Sequence, residues 1–176
     1  DGAAQTAAAP KRSRVLILAP TRELAVQIED EIHGLCYHTT ITSAAVYGGV
    51  EMGGQERALK AGVDIIVATP GRLIDHMRQQ NADMGAVELL VLDEADRMMD
   101  MGFWPDVRRI IAALRPQRQT LLFSATMPEA VEKLAREFLI EPWVIDLRPE
   151  AREVGCVERR LDLAPQCPLR CSLPEN

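Results

Sequence analysis

Three carboxylates crowd into four consecutive residues at Asp93-Glu94-Ala95-Asp96, directly after the aliphatic run Leu89-Leu90-Val91-Leu92. Carboxylate oxygens suit a hard divalent cation such as Mg²⁺, which keeps several of its waters and binds through one or two protein groups. A second set of residues has the opposite character. Pro20-Thr21-Arg22-Glu23 and Thr69-Pro70-Gly71-Arg72 each pair a hydroxyl with a guanidinium, and Gly48-Gly49 lets a ligand come close to the backbone. Hydroxyls, free N–H groups at a helix start and a forked guanidinium together grip a phosphate. Ser124-Ala125-Thr126 adds a further hydroxyl cluster. Each group also has a plain structural reading. Asp93 can serve as a helix N-cap, with Glu94 and Asp96 favouring the helix dipole. Thr21 and Thr69 can be caps, Arg22 and Arg72 solvated charges, and Gly48-Gly49 a tight turn.

The elements around these residues favour a shared location. Leu89 to Leu92 is too short for a membrane span and has no helical or alternating period, which suits a strand buried on both faces of a parallel sheet. In that architecture ligands sit beyond the carboxyl ends of the strands, where the acidic residues begin. Similar runs occur at Arg14 to Ala19 and Val63 to Ala68, with weaker ones at Ser43 to Tyr47 and Thr120 to Phe123. Helical spacing appears at Leu24, Ile28, Ile32 and Leu35, and again at Val107, Ile110, Ile111 and Leu114. Short helices are expected over Gln55 to Ala61, after Thr69-Pro70-Gly71-Arg72 through Met77 and over Met127 to Leu139, and a last strand over Trp143 to Leu147. Strand and helix thus alternate about five or six times, the pattern of a parallel α/β sheet flanked by helices. Asp1 to Arg14 reads as a loop or frayed end, residues 15–147 as the domain, and residues 148–176 as a linker and irregular end.

Length and composition narrow the classes. The 176 residues make one domain with a substantial core. With 20 Lys and Arg against 26 Asp and Glu, the net charge of −6 argues against a generally basic nucleic-acid coat. Any such contact would be local and directed at the backbone. The four cysteines form no C-x-x-C pair, and Cys36 between His33 and His38 has no zinc-site spacing. Reduced thiols in a cytoplasmic protein are the expected state. No run of about 18 apolar residues occurs, so no transmembrane helix is expected.

Taken together, the motifs resemble those of the DEAD-box ATP-dependent RNA helicases. Ala19-Pro20-Thr21-Arg22-Glu23-Leu24-Ala25 is similar to motif Ia, Gly48-Gly49 to the GG motif, and Ala68-Thr69-Pro70-Gly71-Arg72-Leu73 to motif Ib. Val91 to Phe103 resembles motif II, a Walker B strand with its acidic turn, and Phe123-Ser124-Ala125-Thr126-Met127-Pro128 resembles motif III. The resemblance covers roughly Val15 to Leu147 and implies the first RecA-like domain of that family, a P-loop NTPase fold. By the same resemblance Asp93 would hold Mg²⁺ largely through water, and Glu94 would orient or deprotonate the water that attacks ATP. Asp96 would pair with Ser124 and Thr126, coupling nucleotide state to RNA binding. Thr21, Arg22, Gly49, Thr69, Gly71 and Arg72 would contact the RNA sugar–phosphate backbone, without sequence readout.

Neither G-x-x-x-x-G-K-[ST] nor A-x-x-G-x-G-K-[ST] occurs, and Gly48 to Gly54 has no Lys-Ser/Thr to substitute. The family carries that loop upstream of motif Ia, and arginine fingers on a second RecA-like domain. The sequence therefore reads as a fragment whose fold lacks the P-loop strand, and whose isolated form is expected to be inactive. The alternative is a non-catalytic RNA-binding or protein-interaction module derived from that domain. A dinucleotide-binding domain is disfavoured for want of G-x-G-x-x-G after the first strand.

Overall fold

The computed structural model describes residues 12–139 and 141–147. Five strands alternate with six helices: β1 (Val15–Leu18), α1 (Arg22–Leu35), β2 (Ser43–Val46), α2 (Met52–Ala61), β3 (Ile65–Ala68), α3 (Pro70–Arg78), β4 (Leu89–Leu92), α4 (Ala95–Asp100), α5 (Trp104–Ala113), β5 (Gln119–Leu122) and α6 (Glu129–Phe138). Every pairing is parallel and the order across the sheet is β2-β3-β1-β4-β5. Val15 faces Ile65 on one side and Leu89 on the other, and Leu18 faces Ala68 and Leu92. The five strands therefore end level, and their carboxyl ends make one edge.

Packing on the two faces is unequal. Leu16, Leu18, Ile66, Leu90 and Leu92 point to one side and are at most 1% exposed. Leu59, Leu73, Met98, Trp104, Val107, Ile110 and Leu134 cover them from the helices after β2. On the other side Ile17, Ile65 and Val67 meet only α1, through Leu24, Ala25, Ile28 and Ile32. That helix packs on β2 and β3. Leu89, Val91 and Leu121, farther along the same face, are consequently half-buried. The expectation that β4 is buried on both faces thus holds for one face only.

Three boundaries depart from the sequence reading. Helix α2 begins at Met52 rather than Gln55 and takes in Gly53 and Gly54. Trp143 to Leu147 forms no strand. An aliphatic run becomes a strand only when an edge pairs with it, and sequence periodicity does not report partners. Leu35 continues the apolar spacing of α1 but is 82% exposed at the last position of the helix. The segments 1–11 and 148–176, expected as a frayed end and a linker, lie outside the described residues.

Truncating the fully buried Leu90 to alanine should cost about 2–5 kcal/mol, whereas Leu35→Ala should stay within about 0.5 kcal/mol. Urea unfolding followed by circular dichroism measures both, and equal losses would contradict this account of the core.

Candidate functional site

At the carboxyl edge, sheet order sorts the motifs in a way that chain order does not. The Gly48-Gly49 turn leaves β2, Thr69-Pro70-Gly71-Arg72 leaves β3, and Thr21-Arg22 follows β1. Asp93 to Asp96 leaves β4 and Ser124-Ala125-Thr126 leaves β5. Glycine, hydroxyl and guanidinium groups thus occupy one half of the edge, and the carboxylates with their hydroxyl partners occupy the other. The seam between the halves is backbone: the Asp93 N–H donates to the Leu18 carbonyl at 3.0 Å.

In the acidic half the helix cap is Glu94, not Asp93, and Glu94 supplies no side-chain capping bond. Asp93 Oδ1 accepts only the N–H of Glu94, at 3.0 Å, so its other oxygen carries no bond among the described residues. Glu94 has φ 49° and ψ 53°, a left-handed conformation that costs a non-glycine residue about 1–2 kcal/mol. Its neighbours hold it there, with Ala95 N–H donating to the Phe123 carbonyl at 3.0 Å and Arg97 Nη1 reaching Glu94 Oε2 at 3.2 Å. Among the described residues no three His, Cys, Asp or Glu side chains converge to hold a metal ion. What Asp93 and Glu94 offer is a pair of hard oxygen donors, which suits a hydrated Mg²⁺ that takes its remaining ligands from water and phosphate.

Asp96 is engaged differently. Its Oδ2 accepts the N–H of Thr126 at 2.9 Å and the Thr126 hydroxyl at 2.6 Å. Its own N–H donates to Ser124 Oγ at 3.2 Å, and that hydroxyl donates to the Thr126 carbonyl at 2.6 Å. These four bonds form a clasp that ties the turn after β4 to the exit of β5. The Thr126 hydroxyl, above all, holds the Asp96 carboxyl below its ordinary range, against the opposing effect of burial.

In the other half, several groups already have structural work. Thr21 caps α1, its Oγ1 accepting the Leu24 N–H at 3.3 Å. Thr69 sits at the cap of α3, but its hydroxyl makes no capping bond, and Pro70 fills the first helical position. The N–H groups of Gly71 and Arg72 lie in that first turn, where no intrahelical acceptor exists. A Cβ built on Gly71 would meet nothing within 4 Å, so internal packing does not require glycine there. Gly49 has φ +83°, which does favour glycine. Arg22 is exposed and lies 5.1 Å above the ring of Tyr47. Arg72 is partly turned inward, with Nη1 and Nη2 both donating to the Val50 carbonyl at 3.1 Å.

Sequence reading missed the support behind this turn. Gln55 Nε2 donates to the Tyr47 carbonyl at 3.0 Å, and His76, fully buried, lies 3.3 Å from Gln55 Oε1. The one available signal was a histidine on the apolar side of a short helix.

Asp96→Asn should lower stability at neutral pH by about 1 kcal/mol, and Thr126→Val should add little once Asp96 is changed. Because the folded carboxyl titrates below its ordinary value of 3.8, the clasp contributes fully above that pH and loses its contribution as pH falls through the lowered value. Urea unfolding of the four proteins across that range checks both points, and additive losses at every pH would contradict the clasp.

A family model described as DEAD/DEAH box helicase matches residues 3–134. The chain is 55% identical over 129 residues to DEAD-box ATP-dependent RNA helicase 30 of Arabidopsis thaliana, covering 73% of this chain and 22% of that protein. It is 53% identical to ATP-dependent RNA helicase DBP2 of Chaetomium thermophilum, covering 72% and 23%. The crystal structure of a DEAD box protein from the hyperthermophile Methanococcus jannaschii superposes with TM-score 0.71 and 40% identity over 74% of this chain and 36% of that one. The chain thus spans about a quarter of the length of these two curated relatives. With three quarters of its residues matched by the family model and its parallel sheet matched by a DEAD-box structure, the chain belongs to the DEAD/DEAH box helicase family.

Proposed function

We propose that this chain is the part of an ATP-dependent RNA helicase that grips the RNA backbone and presents the hydrolytic carboxylates, serving local duplex unwinding in a longer cytoplasmic protein. The division of the sheet edge carries this reading. Phosphate-gripping groups and acidic groups stand side by side on strands of one ladder, joined at the seam by the bond from the Asp93 N–H to the Leu18 carbonyl.

In the acidic half Asp93 would hold Mg²⁺, largely through water as the family resemblance implies, with an oxygen that carries no bond among the described residues. Glu94 would orient or deprotonate the attacking water, and the Asp96–Ser124–Thr126 clasp would report nucleotide state to β5. In the other half the hydroxyl of Thr69, which makes no capping bond, and the first-turn N–H groups of Gly71 and Arg72 would receive phosphate oxygens. Thr21, Arg22 and Gly49 would extend the grip to the next nucleotides, and the vacant space before Gly71 suits close approach of a backbone. None of these groups reads a base edge, so the expected ligand is RNA of any sequence, distinguished from DNA by its 2′-hydroxyl. ATP-dependent action on RNA is what the printed names of the relatives state for those proteins.

A strand bearing the phosphate loop is not among the five described. These five pair without a break, so such a strand would add at an edge rather than fill a central gap. The outer side of β5 is one such edge, and Leu89, Val91 and Leu121 on the sheet face that α1 covers elsewhere are only half-buried. Positioning of the triphosphate supplies most of the catalysis in phosphoryl transfer, so the isolated chain should hydrolyse no ATP above background.

Fluorescence anisotropy with an oligouridylate should show weak binding whose log K falls with log salt by about 0.7 per phosphate contact, and Arg22→Ala should remove about one such increment. Binding insensitive to salt and to Arg22 would overturn the RNA reading. Phosphate release by the purified chain that vanishes on Glu94→Gln would overturn its predicted inactivity.

A further inference from the structure

The Gly48-Gly49 turn is exposed, yet it is braced from below on both flanks. Arg72 holds the Val50 carbonyl on one side, and the Gln55 amide holds the Tyr47 carbonyl on the other. Gln55 can face Tyr47 with its NH₂ only if its Oε1 points at the imidazole of His76. That oxygen accepts, so His76 Nε2 carries a proton, and in the neutral ring Nδ1 is then bare. The arrangement closes consistently, because Asn81 Nδ2 lies 3.3 Å from Nδ1 and can donate to it. His76 is 0% exposed and Asn81 6%, so this network is interior.

We propose that His76 is a positioning residue for the Gly48-Gly49 turn: as the neutral Nε2–H tautomer it fixes the Gln55 amide, which in turn fixes the Tyr47 carbonyl and the backbone offered to RNA. The mention of RNA rests on the proposed function; the relay from His76 to the turn does not. Protonation would place a hydrogen on Nδ1 facing the Asn81 amide and would add a buried cation. Burial is the main influence that keeps the ring neutral, and Arg72 on the same helix acts the same way. Glu56 on α2 and Asp75 on α3 oppose it more weakly. The neutral tautomer is therefore the form at and above neutral pH, and the relay is disturbed only on acidification below the ordinary histidine range.

Nitrogen-15 NMR of the 176-residue chain tests this without RNA. The His76 ring should show a protonated Nε2 and a bare Nδ1, and the amide signals of Gly48, Gly49 and Val50 should move with the same midpoint as the ring. His76→Phe, which keeps an aromatic ring, should abolish that movement, whereas His76→Gln, which keeps a donor near Nε2, should hold the turn signals near their neutral-pH positions. Turn signals that ignore the His76 titration, or that keep it in His76→Phe, would overturn the relay. An oligouridylate titration is the second arm. His76→Phe and Gln55→Ala should each weaken binding by about threefold to tenfold, with no further loss when combined, and His76→Gln should stay within about twofold. Wild-type affinity in His76→Phe would overturn the role in RNA binding. Failure of the wild-type chain to bind RNA at all would sink the RNA reading instead, while the NMR arm still decides the relay.

Discussion

The parallel ladder centred on β1 is the constraint on which everything else rests. Leu18 stands level with Ala68 on one side and Leu92 on the other, so the chain leaves the sheet at the same height on every strand. Short strands of four residues leave little room for slippage. A shift of one residue would turn Leu16, Leu18, Leu90 and Leu92 out of the core they share with α3, α4 and α5. Burial of those side chains therefore also determines where Thr21, Thr69 and Asp93 stand. The level carboxyl edge is a consequence of core packing, not a separate device.

On that frame the edge stores tension on one side and slack on the other. Glu94 is held in a left-handed conformation by bonds to its neighbours, and Asp96 is tied to the exit of β5 by three hydrogen bonds. Asp93 and Thr69, by contrast, keep oxygen atoms without a hydrogen bond among the described residues. This contrast fits a site in which some residues transmit and others receive. The clasp makes β5 sensitive to the turn after β4, and β4 in turn is bonded to β1, whose exit leads to Arg22.

The elements were readable from the sequence because local signals agree: aliphatic runs for strands, Thr or Pro at helix starts, and helical spacing of apolar residues. Those signals weakened wherever a distant partner decides. Helix α2 starts early because a helix tolerates Gly53 and Gly54 in its first turn, and Trp143 to Leu147, though apolar, forms no strand. The motif residues were legible as groups, and the clasp between Asp96 and Thr126 was anticipated through the family resemblance. The brace was not. Arg72 reaches Val50 across 22 residues and His76 reaches Gln55 across 21, and no spacing rule announces such contacts.

The central claim is that a backbone-gripping surface lies along the exits of β1, β2 and β3. Amide chemical-shift mapping of the nitrogen-15-labelled chain with an oligouridylate and with an oligodeoxythymidylate tests it most directly. The account predicts shifts confined to Thr21, Arg22, Gly48, Gly49, Thr69, Gly71, Arg72 and their immediate neighbours, larger for the RNA than for the DNA. Shifts gathered on another face, such as around Lys60 or Arg78, or none at millimolar oligonucleotide, would contradict it.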